Sequence, residues 1–181
     1  MMEEKKEIRR KMARQRAALS VDEVFAKSTR IVDKVAKTPA FEGAACVALY
    51  KALPGEVDLE SLFSICWIAG KRTAIPFFNP ETRLYEMVEV DEKTVYQTAH
   101  YGILEPLRPA LLSLSAVDLM ILPGVAFTPN GQRLGRGGGY YDRLLEGFSG
   151  QTLGVAFDFQ ILPHIPLQPH DLPVDQLISN L

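Results

Sequence analysis

The chain is poor in the residues that build covalent or metal frameworks: two cysteines, three histidines and one tryptophan in 181 residues. Two cysteines rule out a disulfide scaffold or a four-thiolate zinc site. Cys46 and Cys66 each lie in an apolar setting, as small core residues of a reducing compartment do. His164, His170 and Asp171 fall in one proline-rich stretch but match no standard zinc spacing, so the histidines read as loop residues. No apolar run approaches the roughly 18 residues needed to cross a bilayer. The start lacks the apolar core of a signal peptide, and the expected location is cytoplasmic. A net charge of −2 supplies no global field to recruit nucleic acid or anionic lipid, so neither is expected as a partner. There is no internal repeat and no low-complexity tract. The dinucleotide pattern G-x-G-x-x-G and the phosphate-loop pattern ending in G-K-[S/T] are both missing.

What is present suits one globular α/β domain over residues 1–181, with 47% hydrophobic residues to fill its core. Residues 3–19 read as a helix with Ile8, Met12 and Leu19 along one stripe. Seven basic groups against three acids in residues 1–16 give it a local charge of +4, leaving −6 for the remainder. Three roles compete for that basic face: a solvated surface, a nucleic-acid contact, and an anion clamp closing over a ligand site. The second lacks interleaved aromatic residues for base stacking. Ser20 with Glu23 three positions on is a capping-box signature for a second helix. Ala44 to Tyr50 is a continuous apolar run of buried-strand length. After it comes an apolar-periodic helix through Leu59, Leu62, Phe63 and Cys66, which Gly70 ends, and then a short strand at Thr73 to Ile75. Strand, helix, strand implies a mostly parallel sheet in three layers, Rossmann-like in the broad sense, with ligands beyond the C-terminal strand ends. Leu84–Val90, Asp118–Leu122, Thr152–Phe157 and the residues after Val174 add further strands.

The chain is organised around Leu119 to Leu145. An apolar run leads through turn residues into a loop that carries Arg133 and Arg136 with Gly135, Gly137, Gly138 and Gly139. Tyr140, Tyr141 and Asp142 follow, at a helix start. Glycines bring backbone N–H groups close to a ligand and tolerate positive φ. A helix start adds unpaired N–H groups and roughly half a positive charge. Arginine's planar donor fork suits phosphate or carboxylate. Asp142 has two readings of equal weight. It either complements the helix dipole, worth about 0.3–1 kcal/mol, or helps hold a Mg²⁺ ion that separates it from a bound phosphate.

The stretch PGVAFTPNGQRLGRGGGYYD, Pro123 to Asp142, resembles the signature of the 5-formyltetrahydrofolate cyclo-ligase family, and other stretches match in order over nearly the whole chain. The resemblance implies an ATP- and Mg²⁺-dependent ligase of folate one-carbon metabolism acting on a small molecule, as a monomer or weak dimer. Lys5, Lys6, Glu7, Ile8 and Arg9 are similar to the family's N-terminal nucleotide-binding element, with Lys5 and Arg9 as its charged contacts. By the same likeness Arg133, Leu134, Gly135, Arg136, Gly137, Gly138, Gly139, Tyr140 and Tyr141 would form the ATP loop, with Arg136 and Arg133 catalytic. Glu56, in a Glu-Val-Asp context, and Tyr140 would bind folate, although Tyr141 also reads as an inward packing residue. Asp142 and Asp171 would hold Mg²⁺. Ile75-Pro76 also resembles a family element, with Phe77 where many members carry a basic or polar residue. Glu105, in a Gly-Ile-x-Glu-Pro-like loop, is read as structural. Two rivals stay open: an ATP-independent enzyme such as a sugar-phosphate isomerase, and a non-catalytic ligand-binding module.

Overall fold

The computed structural model describes residues 2–99, 102–168 and 171–181. Helix α1 (Met2–Ala17) opens the chain and ends two residues earlier than its apolar stripe suggests. Helix α2 (Val21–Val35) starts at the capping box. The Ser20 hydroxyl accepts from the Glu23 N–H, and the Glu23 carboxylate accepts from the Ser20 N–H at 2.8 Å. A short α3 (Pro39–Gly43), capped by Thr38, delivers the chain to β1 (Cys46–Ala48), and α4 (Glu60–Ile68) follows. Next come β2 (Arg72–Asn79), β3 (Leu84–Val90), β4 (Tyr96–Thr98), β5 (Leu104–Pro106) and β6 (Ala110–Leu112). The second half holds β7 (Leu119–Leu122), β8 (Ala126–Phe127), β9 (Arg133–Leu134), α5 (Tyr140–Leu145), β10 (Gln151–Ala156) and β11 (Gln176–Ser179).

Seven strands form one sheet in the order β11-β10-β7-β1-β2-β3-β6. The pairs from β11 to β2 are parallel, and β3 and β6 add an antiparallel edge. The mostly parallel α/β architecture expected from the sequence is therefore present. Strand β2, however, runs on through Pro76 to Asn79 instead of stopping at Ile75. The Ala74 carbonyl accepts from the Leu49 N–H at the end of β1. Two residues on, Pro76 faces the same side where no strand remains, so its missing N–H costs nothing.

Strand alternation divides the core. Val47, Leu49, Ile75, Val88, Ile121 and Val155 pack with Ile31 and Val35 of α2 and Leu62 and Phe63 of α4. The opposite face carries smaller groups, including Cys46, Ala48, Ala74 and Ala156, and takes Leu144 and Leu145 of α5. Small residues on this side let other chain segments come close. The Phe127 ring lies so near the backbone that a Cβ at Gly124 or Gly154 would be 2.5 or 2.7 Å from it. Helix α1 stands apart, with Met12 buried against Val125, Ala126, Leu134 and Ile165. No helix among the described residues is long and apolar enough to cross a membrane.

Candidate active site

Beyond the C-terminal ends of β1 and β7 lies a cavity of about 840 Å³. Tyr50 and Lys51 reach it from the end of β1, Ile75 and Pro76 from β2, and Pro123 to Val125 from the end of β7. Adjacent strand ends in an open parallel sheet leave such a crevice because their connections diverge.

One wall is the arginine-flanked loop. Gly137 has φ +107° and Gly139 φ +64°, a region that glycine enters without strain. Arg9 reaches across from α1, its Nε donating to the Gly135 carbonyl at 2.9 Å. Its guanidinium lies where a Cβ on Gly137 would approach to 3.4 Å. The helix that follows is only six residues long, with Gly139 as its N-cap and no side-chain cap. Its dipole is correspondingly small, so the anion-binding capacity of this wall rests on the loop amides and guanidinium groups.

Lys5, Arg133 and Arg136 are each paired with a carboxylate of the same site. Arg133 Nη2 donates to Asp142 Oδ1 at 2.5 Å, with Arg133 almost fully buried and its guanidinium 5.6 Å from the Tyr141 ring centre. Arg136 Nη2 donates to Glu56 Oε1 at 2.6 Å. Lys5 Nζ donates to Asp171 Oδ2 at 2.6 Å, and that oxygen also accepts from the Gln168 N–H. Cations and acids predicted from separate stretches thus meet on one cavity wall.

The rest of the lining is largely aromatic and apolar. The Tyr140 ring lies 4.7 Å from that of Tyr85, which lies 5.4 Å from Phe78. Ile75, Pro76, Ile103 and Leu104 continue this surface. Tyr141 faces inward, and burial, followed by the nearby Glu56 charge, pushes its hydroxyl above the ordinary tyrosine range. Burial does the same to Tyr50, whose hydroxyl donates to the Val57 carbonyl at 2.9 Å.

Among the residues named from sequence, Lys5, Lys6, Arg9, Glu56, Asp142 and Asp171 all line the cavity, together with Arg133 through Tyr141. Glu7 and Ile8 do not. Glu7 points to solvent, and Ile8 packs beside Met12 in the α1 cluster, because they occupy other faces of the helix than Lys5 and Arg9. Glu105, read as structural, is in the cavity wall within β5, which pairs with β4. His170 lies outside the described residues, and His164 is exposed. Sequence reading overlooked Lys51, Tyr85 and Arg16. For Arg16 the signal was available: Lys5, Arg9, Met12 and Arg16 recur at helical spacing and share one face.

The donor set fits a nucleotide's phosphates. The buried Arg133 Nε has no partner, and the glycine loop presents backbone without side chains. Among the described residues no three His, Cys, Asp or Glu groups form a protein-only metal cage. Magnesium fits here in the manner usual for nucleotide enzymes, on a carboxylate such as Asp142 plus phosphate oxygens and waters.

Comparison with known proteins bears on the whole chain. The family model described as the 5-formyltetrahydrofolate cyclo-ligase family matches residues 1–180. The 5-formyltetrahydrofolate cyclo-ligase of Escherichia coli strain K12 is 31% identical over 177 residues, covering 93% of this chain and 96% of that protein. The Mus musculus protein of the same name is 28% identical over 187 residues, covering 96% and 92%. The NMR structure of Aquifex aeolicus 5,10-methenyltetrahydrofolate synthetase superimposes with a TM-score of 0.86 at 34% identity, over 97% of this chain and 89% of that one. With matches of this extent in sequence and fold, and the glycine loop of the signature forming a wall of the cavity, the chain belongs to the 5-formyltetrahydrofolate cyclo-ligase family.

Proposed function

We propose that this cavity performs the ATP- and Mg²⁺-dependent cyclisation of 5-formyltetrahydrofolate to 5,10-methenyltetrahydrofolate, releasing ADP and phosphate. The observation that carries the reading is that Arg133, Arg136 and the side-chain-free run from Gly137 to Gly139 line one cavity together with the paired rings of Tyr140 and Tyr85. One end suits polyphosphate and the other a flat heterocycle.

An N-formyl oxygen is a poor leaving group, and phosphorylation converts it into a good one. The formyl oxygen attacks the γ-phosphorus and ADP leaves, giving an imidate-like phosphate on N5. N10 then attacks the activated carbon and loses its proton. The C–O bond breaks as phosphate departs, and the five-membered ring closes. In this scheme Arg133, Arg136 and the loop amides hold the transferred phosphoryl group, and Lys5 and Arg9 close on the nucleotide from α1. Glu56 accepts hydrogen bonds from the pterin, and Tyr140 with Tyr85 stacks against it. The enzyme's contribution is alignment of the formyl oxygen with phosphorus and neutralisation of charge developing there. Magnesium, when bound, neutralises phosphate charge, with Asp142 and Asp171 as its protein carboxylates.

The test is absorbance of the methenyl product from 5-formyltetrahydrofolate with and without ATP and Mg²⁺. Product is expected only with both. Turnover without ATP, or binding of both ligands without product, would overturn the proposal.

A further inference from the structure

We propose that Arg16 is a positioning residue, the permanent counter-charge that holds the Glu56 carboxylate in place when Arg136 is drawn off to phosphate. The inference rests on the reading of Glu56 as a folate contact. Glu56 is buried and touches two guanidinium groups, with Oε1 2.6 Å from Arg136 Nη2 and 3.7 Å from Arg16 Nη1. Its other oxygen accepts from the Leu53 N–H at 3.0 Å.

The two arginines differ in what holds them. The Arg136 side chain is 57% exposed and springs from a loop with glycine on both sides. The Arg16 side chain is 11% exposed, belongs to a helix, and is pinned by Nη2 donating to the Gly124 carbonyl at 2.6 Å. Gly124 itself follows β7, so Arg16 ties α1 to the sheet end and to Glu56 together. The turn that carries Glu56 is seated on the same residue. Gly55 has φ +75°, and a Cβ there would lie 3.1 Å from Arg16 Cβ and 3.3 Å from its carbonyl oxygen.

Phosphate competes with Glu56 for Arg136, since a guanidinium fork suits either anion. If Arg136 left and nothing replaced it, the buried carboxylate would keep an uncompensated charge and lose the contact that fixes its orientation. Arg16 prevents this because it cannot follow. Its Nε is buried without a partner. Burial lowers its own proton affinity, with the Glu56 charge acting against that trend. An arginine held at such cost serves an arrangement that a neutral side chain would not maintain.

The test is a double-mutant cycle on the full-length enzyme, measuring KM for 5-formyltetrahydrofolate, KM for ATP, and thermal melting of each variant. Arg16→Met is expected to raise folate KM about tenfold, the scale of one charge-assisted contact, with ATP KM within about twofold. Glu56→Gln should raise folate KM similarly. The double variant should be no worse than Glu56→Gln alone, because Arg16 acts through Glu56. Arg16→Lys, which keeps the charge, should recover part of the loss. If Arg16→Met does not fold, the cycle with Arg16→Lys reads the same coupling. Independent, multiplying effects of the two substitutions, or an unchanged folate KM in the Arg16 variants, would overturn the inference. An unchanged folate KM in Glu56→Gln would instead overturn the assignment of Glu56 on which it stands.

Discussion

Replacing Asp142 by asparagine removes one negative charge from the cavity and keeps the side chain's shape. In the ligand-free enzyme that charge faces Arg133, whose side chain is 3% exposed. Breaking a buried ion pair by deleting one partner costs about 3–5 kcal/mol. Asparagine keeps an acceptor for Nη2, and Asp142 is itself 21% exposed, so about 2 kcal/mol is the expected loss. For a chain of this size that lowers the melting temperature by roughly 4–8 °C. Nucleotide binding should respond with the opposite sign when magnesium is absent. A carboxylate and a phosphate charge repel by about 4 kcal/mol at 4 Å and an effective dielectric near 20. If about a third of that is felt in this partly open cavity, Asp142→Asn binds Mg-free ATP about tenfold more tightly than the parent enzyme. Its gain in affinity on adding Mg²⁺ should shrink by about the same factor or more. Calorimetric titration of ATP in chelator and in excess Mg²⁺ measures both. A variant showing the parent's ratio of the two dissociation constants would refute the placement of metal and phosphate beside this residue.

Further outcomes follow from other contacts. Arg136→Ala should cut turnover at least about tenfold, the worth of one charge-assisted bond to the transferred phosphoryl group, as read by the methenyl absorbance. Deleting residues 1–10 removes Lys5 and Arg9 from the cavity and should weaken ATP binding more than folate binding. Equal losses would assign α1 a purely structural role. Gly131 has φ +81°, and a Cβ there would fall 2.3 Å from the Val174 carbonyl oxygen, so Gly131→Ala should destabilise the fold by at least about 1–3 kcal/mol in a denaturant titration. Hydrogen bonding from Lys27 holds the Asp158 carboxyl below its usual range, and Arg72 does the same for Glu89. Groups with depressed folded-state values stabilise above the unfolded carboxylate pKa of about 4 and lose that stabilisation as pH falls through the folded value. Lys27→Met should therefore flatten the acid limb of a stability-versus-pH curve, leaving the neutral region less stable.

Several elements were legible because their causes are local. The start of α2 could be read from Ser20 and Glu23, whose reciprocal bonds are made within four residues. Strand β7 could be read from a continuous apolar run, all of it buried. The family likeness was equally visible, since the motif from Pro123 to Asp142 is contiguous. The course of β2 past Pro76 was not, because it depends on where the neighbouring β1 stops. The antiparallel direction of β3 was not either, since one apolar pattern serves both orientations. Glu105 looked structural beside its proline, and only the pairing of β5 with β4 puts it in the cavity wall.

The amino-acid order alone determined which chemistry the chain carries: a glycine loop with two arginines, an acid after two tyrosines, and a basic first helix. Those properties belong to residue types and short spacings. The tertiary structure decided which charge answers which. It set Lys5 against Asp171 and Arg136 against Glu56, pairs separated by 166 and 80 positions. It also turned Arg16 from one more surface cation into a buried partner of Glu56. Partner choice across such distances is fixed by the packing of α1 against the sheet end, and no local pattern encodes that packing.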